Sequence, residues 1–151
     1  MSLHAPKRPG MFVHNLQRAL RIDLPALQKS AEKILELILR IRAGRRTQLR
    51  RLDEISVLLI SDRRMAWLHR QFLGQSGATD VLTFQHGEIF ISVETARRHA
   101  RRFGNSLAQE LRLYIVHGLL HLHGFSDRGR SEARKMEVVQ RRILQSAGRL
   151  N

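Results

Sequence analysis

Ile55-Ser-Val-Leu-Leu-Ile60 is a short apolar run rich in β-branched residues. It predicts a buried strand. A helix over about 63–73 follows, with Asp62 as its cap and Met65, Leu68 and Phe72 on one inward face. Upstream, Phe12-Val13 to Leu16 reads as another short strand. Asp23, with Pro25 in the first turn behind it, opens an amphipathic helix over roughly 24–42. Leu27, Ala31, Ile34, Ile38 and Ile41 recur there at helical spacing, and Gly44 ends it. Downstream, Gly74 and Gly77 bound a loop. Val81–Phe84 and Ile89–Ile91 are short strands joined through Gln85-His-Gly87. Helices over Glu94–Phe103, Leu107–His123 and Ser131–Ala147 complete the chain, punctuated by Gly104 and Gly124. The order predicts an α+β, mixed α/β fold. About five helices pack a small mixed, mostly parallel sheet of about four strands.

The 151 residues are expected to form a single domain, 1–151, with residues 1–10 flexible. Apolar residues are 42% and charged residues 26%, as in a soluble globular domain. The charge balance is unusual: 27 Lys and Arg against 13 Asp and Glu give +14, spread over both halves. Such a cation points to a polyanion: RNA, DNA or an anionic membrane. The absence of cysteine excludes a disulfide framework, a thiolate zinc site and a Cys nucleophile. No apolar run reaches the roughly 18 residues of a membrane helix. Met1–Gly10 lacks the apolar stretch of a secretory signal, so a soluble, cytoplasmic protein with no membrane partner is expected.

The chemistry concentrates in the helix before Gly124. His117 and His121 stand one helical turn apart, so both imidazoles project from one face within reach of one ion. Gly124 lets the chain reverse, and Asp127 can return beside the helix end as a third ligand. Two neutral imidazoles and a carboxylate, with a fourth position open to water, make up a hydrolytic zinc site. The spacing alone also fits two helix histidines that face solvent or satisfy core hydrogen bonds. His123 projects about 200° around the helix from His121 and is not expected to be a ligand. A His-Glu-x-x-His peptidase has a Glu after its first His; here that position is Gly118, which argues against a metallopeptidase.

His117-Gly-Leu-Leu-His121-Leu-His-Gly124-Phe-Ser-Asp127 resembles the signature of the YbeY endoribonucleases, His-Gly-x-Leu-His-Leu-x-Gly-Tyr-Asp-His. Thr79-Asp80-Val81-Leu82-Thr83-Phe84 resembles that family's Thr-Asp-Val-Leu-Ser-Phe. Gly87-Glu88-Ile89-Phe90-Ile91-Ser92 resembles its Gly-Asp-Ile-x-Ile-Ser. Met136-Glu137 and Ile143-Leu144 fit its last helix. The resemblance implies a metal-dependent, single-strand endoribonuclease of ribosomal RNA maturation and ribosome quality control. It would carry one divalent ion, zinc by expectation, on His117, His121 and Asp127, and work on RNA of the small ribosomal subunit.

This chain departs from the family pattern. The family's third ligand is His where Asp127 stands; a carboxylate serves zinc and shifts preference toward harder ions. Tyr-Asp before that ligand is Phe125-Ser126, and a Pro before the Thr-Asp pair is Ala78. The family has a functionally important Arg where Phe72-Leu73-Gly74 places Leu73. Arg70, one turn earlier, is the candidate to reach the same space and grip a phosphate. The general base is open, with Asp80 and Glu88 the loop carboxylates to examine.

Two arginine groups are candidates for a phosphate backbone. Arg97, Arg98, Arg101 and Arg102 form one stripe on their helix, and six Arg lie between Arg40 and Arg51 with no acid among them. Aromatic residues are only 5%, so no base-stacking platform is visible. The alternative function is a ribosome-associated RNA-binding assembly factor with a structural metal and weak or lost cleavage, which Leu73 favours.

Overall fold

A computed structural model describes residues 8–45, 47–73 and 80–148. The expected Gly74–Gly77 loop, Thr79 and the first seven residues of the expected flexible start lie outside these. The elements in chain order are β1 (Gly10–Asn15), α1 (Leu24–Leu39), a 3-10 turn (Leu49–Arg51), β2 (Glu54–Ile60), α2 (Asp62–Leu73), β3 (Val81–Phe84), β4 (Glu88–Ser92), α3 (Val93–Phe103), α4 (Leu107–Leu122) and α5 (Arg130–Gly148). Five helices and a four-stranded sheet of order β1-β2-β4-β3 make an α+β fold. The β1–β2 and β2–β4 pairs are parallel and only β3–β4 is antiparallel, so the sheet is mixed and mostly parallel.

Strand alternation assigns the faces. Met11 and Val13 sit beside Ile55 and Val57, Val57 and Leu59 sit beside Ile89 and Ile91 in register, and all are buried. Thr83 pairs with Ile89 and shares this face. The helices α1 and α4 cover it and α5 packs on both of them, together supplying Ile34, Ile38, Ile115, Leu119 and Met136 to one core. Gly118 explains how closely α4 approaches: a Cβ there would meet Ile89 Cδ1 and Cγ2 at 2.9 Å and Thr83 Oγ1 at 3.0 Å. The position next to His117 therefore faces the sheet, and no Glu fits it.

The other face is covered less completely. α2 lies there, burying Met65, while Phe72 stacks edge-on against Phe84 at 5.3 Å between ring centroids. Phe72 is nevertheless 61% exposed and Trp67 52%, which corrects the expectation of an inward Phe72. The cause is that α2 packs against β4 and its last turn overhangs the β3 edge. Asp62 is not the α2 cap either. Ser61 takes that role, its Oγ accepting from Arg64 N–H at 3.2 Å. The Asp62 carboxylate instead accepts from the Ser92 and Thr95 hydroxyls and pairs with Arg98 at 2.8 Å, tying α2 to α3. The first helix stops at Leu39, with Arg40 as its cap, so Gly44 does not end it. Gly10, expected in the flexible start, is the first residue of β1 and donates to the Asp53 carbonyl.

Candidate metal centre

α4 begins with a capping box, in which Ser106 Oγ accepts from Gln109 N–H and Gln109 Oε1 from Ser106 N–H. Its end is a Schellman turn: Phe125 N–H donates to Leu120 O at 2.9 Å and Gly124 N–H to His121 O at 3.0 Å, with Gly124 at φ +96°. The reversal returns Asp127 to the last two turns of α4, which carry His117 and His121. Asp127 Oδ2 lies 3.7 Å from His117 Nε2 and 3.6 Å from His121 Nε2, and the two Nε2 atoms are 3.0 Å apart. A tetrahedral ion with bonds of about 2.0–2.2 Å sets its ligand atoms about 3.3–3.6 Å apart, and the observed triangle brackets that spacing.

The hydrogen bonds behind the imidazoles test the fit. His121 Nδ1–H donates to the Phe125 carbonyl at 3.2 Å and His117 Nδ1–H to Gln140 Oε1 at 2.6 Å. With each Nδ1 proton so engaged, the neutral rings turn bare Nε2 lone pairs toward each other. Two lone pairs and a carboxylate at this range repel unless a cation lies among them. Outer partners that leave the second nitrogen free are the usual companions of metal-bound histidine. Burial, with the neighbouring His117, holds the His121 pKa below 6.5, against the opposing pull of Asp127 and the Phe125 carbonyl. His121 thus stays neutral, as a ligand must. The group His117, His121 and Asp127 can hold a metal ion. His123 takes no part: it is fully buried, and its Nε2–H donates to the Ile41 carbonyl at 2.9 Å.

The three side chains line a cleft of about 1030 Å3 whose other wall includes Asp80, Val81, Leu82 and Thr83. Of the two loop carboxylates, Asp80 lines the cleft, its Oδ1 accepting from Val81 N–H at 2.8 Å. Glu88 pairs with Phe84 and points to the opposite face of the sheet. Arg70 is exposed on the last turn of α2 and does not line the cleft. Leu73 is the last residue of α2. Arg97, Arg98, Arg101 and Arg102 lie on α3, outside the cleft lining, and Arg98 is engaged by Asp62. The cations that do line it are Arg45, Arg128 and Lys135.

The sequence reading missed Gln140, Arg128 and Lys135, and it named Arg45 only as one of the six arginines between Arg40 and Arg51, not as a residue of this cleft. Gln140 follows the buried Met136 by one helical turn, so its inward face was open to inference. The place of Arg45 depends on a distant chain contact and carries no local signal.

A family model described as Endoribonuclease YbeY matches residues 12–148. The chain is 36% identical over 102 residues to Endoribonuclease YbeY of Bacteroides thetaiotaomicron, covering 63% of this chain and 74% of the relative. It is 34% identical over 130 residues to the protein of that name from Parabacteroides distasonis, covering 82% and 88%. A solution structure of a Thermotoga maritima protein superposes with a TM-score of 0.61 at 25% identity, over 91% of this chain and 87% of that one. The match spans the sheet, the histidine helix and the turn to Asp127 alike, and the chain belongs to the YbeY family of endoribonucleases.

Proposed function

We propose that this protein is a metal-dependent endoribonuclease that cleaves single-stranded segments of ribosomal RNA during small-subunit maturation in the cytoplasm. The observation that carries the metal dependence is the pair of Nε2 atoms 3.0 Å apart, with both Nδ1 protons engaged and Asp127 Oδ2 within 3.7 Å of each. One divalent ion, zinc by the chemistry of two imidazoles and a carboxylate, is held by His117, His121 and Asp127. Such an ion supplies Lewis acidity, polarising a phosphodiester and acidifying water. The chain's own groups do the rest. Gln140 and the Phe125 carbonyl orient the rings, Thr83 and Val81 wall the cleft beside them, and Asp80 lines that wall with its Oδ1 accepting from Val81 N–H. Cleavage of a single-stranded ribosomal RNA fragment by the purified protein tests this. It should vanish with a chelator and in His121→Ala; cleavage that survives both would overturn the proposal.

A further inference from the structure

The basic segment between α1 and β2 is fastened to the end of the histidine helix. Gly44 N–H donates to His123 O at 2.9 Å and Gln48 N–H to Leu122 O at 2.7 Å, so the segment satisfies two carbonyls that α4 leaves open. His123 Nε2–H answers by donating to Ile41 O at 2.9 Å. Gly44 and Gly124 are in backbone contact: a Cβ on Gly44 would lie 2.1 Å from Gly124 O. Leu49, just beyond, is fully buried. These contacts hold the segment beside the turn that delivers Asp127.

Its arginines are not equivalent. Arg40 pairs with Glu36 at 2.6 Å, and Arg50 donates to the Leu39 carbonyl. Arg42 and Arg45 are exposed, and neither forms an ion pair among the described residues. Arg45 lines the cleft of His117, His121 and Asp127, with Arg128 and Lys135 on the Asp127 side. The arginines of α3 are placed differently. His99 meets Tyr114, with 2.7 Å between Nδ1 and the hydroxyl. Arg101 and Arg102 therefore lie level with the first half of α4, about 8–15 Å along the helix from His117 and His121.

We propose that Arg45, on the wall of the cleft, and the exposed Arg42 of the same segment grip the phosphate backbone of single-stranded RNA as it passes the end of α4 and enters the cleft. This rests on the endoribonuclease reading above. Guanidinium forks suit the task because each engages two phosphate oxygens in a fixed plane, with no demand on base sequence.

The test separates binding from cleavage. A fluorescent 2′-O-methyl oligonucleotide of about 12 nucleotides is titrated by anisotropy against the metal-loaded protein over a range of salt. At 0.1 M salt, Arg42→Ala/Arg45→Ala is expected to bind about tenfold more weakly. The slope of log affinity against log salt should flatten by about 0.7 for each arginine lost. Arg101→Ala/Arg102→Ala should bind within twofold of wild type. Arg45→Lys should keep the slope, and bound metal should be unchanged in every variant. Binding within twofold by the Arg42/Arg45 double variant, or an equal loss in the α3 variant, overturns the proposal, as does failure of the wild type to bind. If the wild type binds as expected but never cleaves, the endoribonuclease reading fails and the gripping surface stands.

Discussion

A backbone carbonyl can only accept a hydrogen bond, so the Phe125 carbonyl settles which nitrogen of His121 carries the proton. Gln140 does the same for His117 through a side chain that can be changed. Gln140→Leu is expected to weaken metal binding about 10–100-fold without unfolding the protein. Competition with a chromogenic chelator measures it, and unchanged affinity would remove Gln140 from the site. The half-buried His121 and the buried His123 also make the metal-free fold sensitive to acid. Burial holds both His121 and His123 below 6.5, with Arg50 adding to the effect on His123 and the Ile41 carbonyl opposing it. As pH falls through 6.5 the unfolded chain takes up protons that the folded chain refuses. Stability is therefore full above 6.5 and is lost as pH drops toward the lower folded values. The urea midpoint of metal-free protein should fall between pH 7.5 and 5.5; a constant midpoint contradicts the argument. At Gly118 two effects oppose. Alanine favours a helix by about 1 kcal/mol. Its Cβ would meet Ile89 at 2.9 Å, and such overpacking costs about 1–3 kcal/mol. Crowding should win, so Gly118→Ala should melt lower.

The turn that ends α4 does two jobs, and the glycine that ends α3 does only one. Gly124 needs a positive φ, and a Cβ there would also meet Gly44 backbone atoms at 2.8–2.9 Å. Gly104 has a positive φ and open space around it. Gly104→Ala should cost the strain alone, about 1–2 kcal/mol. Gly124→Ala should cost that and about 1–3 kcal/mol more from the collision. Thermal melts of the two variants read the difference, and equal melting points would mean that the segment carrying Arg45 is not held by this contact. The same comparison explains what was legible in the sequence. The pair His117 and His121 could be read because four residues is one turn, and Asp127 because a glycine between helices marks a reversal. Gly44 looked like a helix stop, yet α1 ends at Arg40 and the glycine serves a contact with residue 124 that no local pattern announces. Asp62 looked like a cap because Asp often is one, but Ser92, Thr95 and Arg98 compete for its carboxylate from across the fold. Phe72 has the spacing of a core residue. Whether it is covered depends on how far a single helix reaches over the sheet.

At the scale of the whole molecule, charge sets two responses to salt that run in opposite directions. A net charge of +14 on 151 residues repels itself. The pairs made by Glu36, Asp62 and Glu137 offset it only in part, and their arginine partners Arg40, Arg98 and Arg141 are all largely exposed. Exposed pairs contribute little. Screening should therefore relieve more repulsion than it removes attraction, and the fold should gain stability as salt rises. The RNA interface loses by the same addition, because each phosphate contact releases counterions whose entropy gain shrinks with salt. Between about 50 and 300 mM sodium chloride, across which the Debye length falls through about 10 Å, the melting temperature should rise while affinity for single-stranded RNA falls. Scanning calorimetry and anisotropy on one preparation check both. A melting temperature that falls alongside affinity would mean that the arginines are held in stabilising pairs and are not free to meet a phosphate backbone.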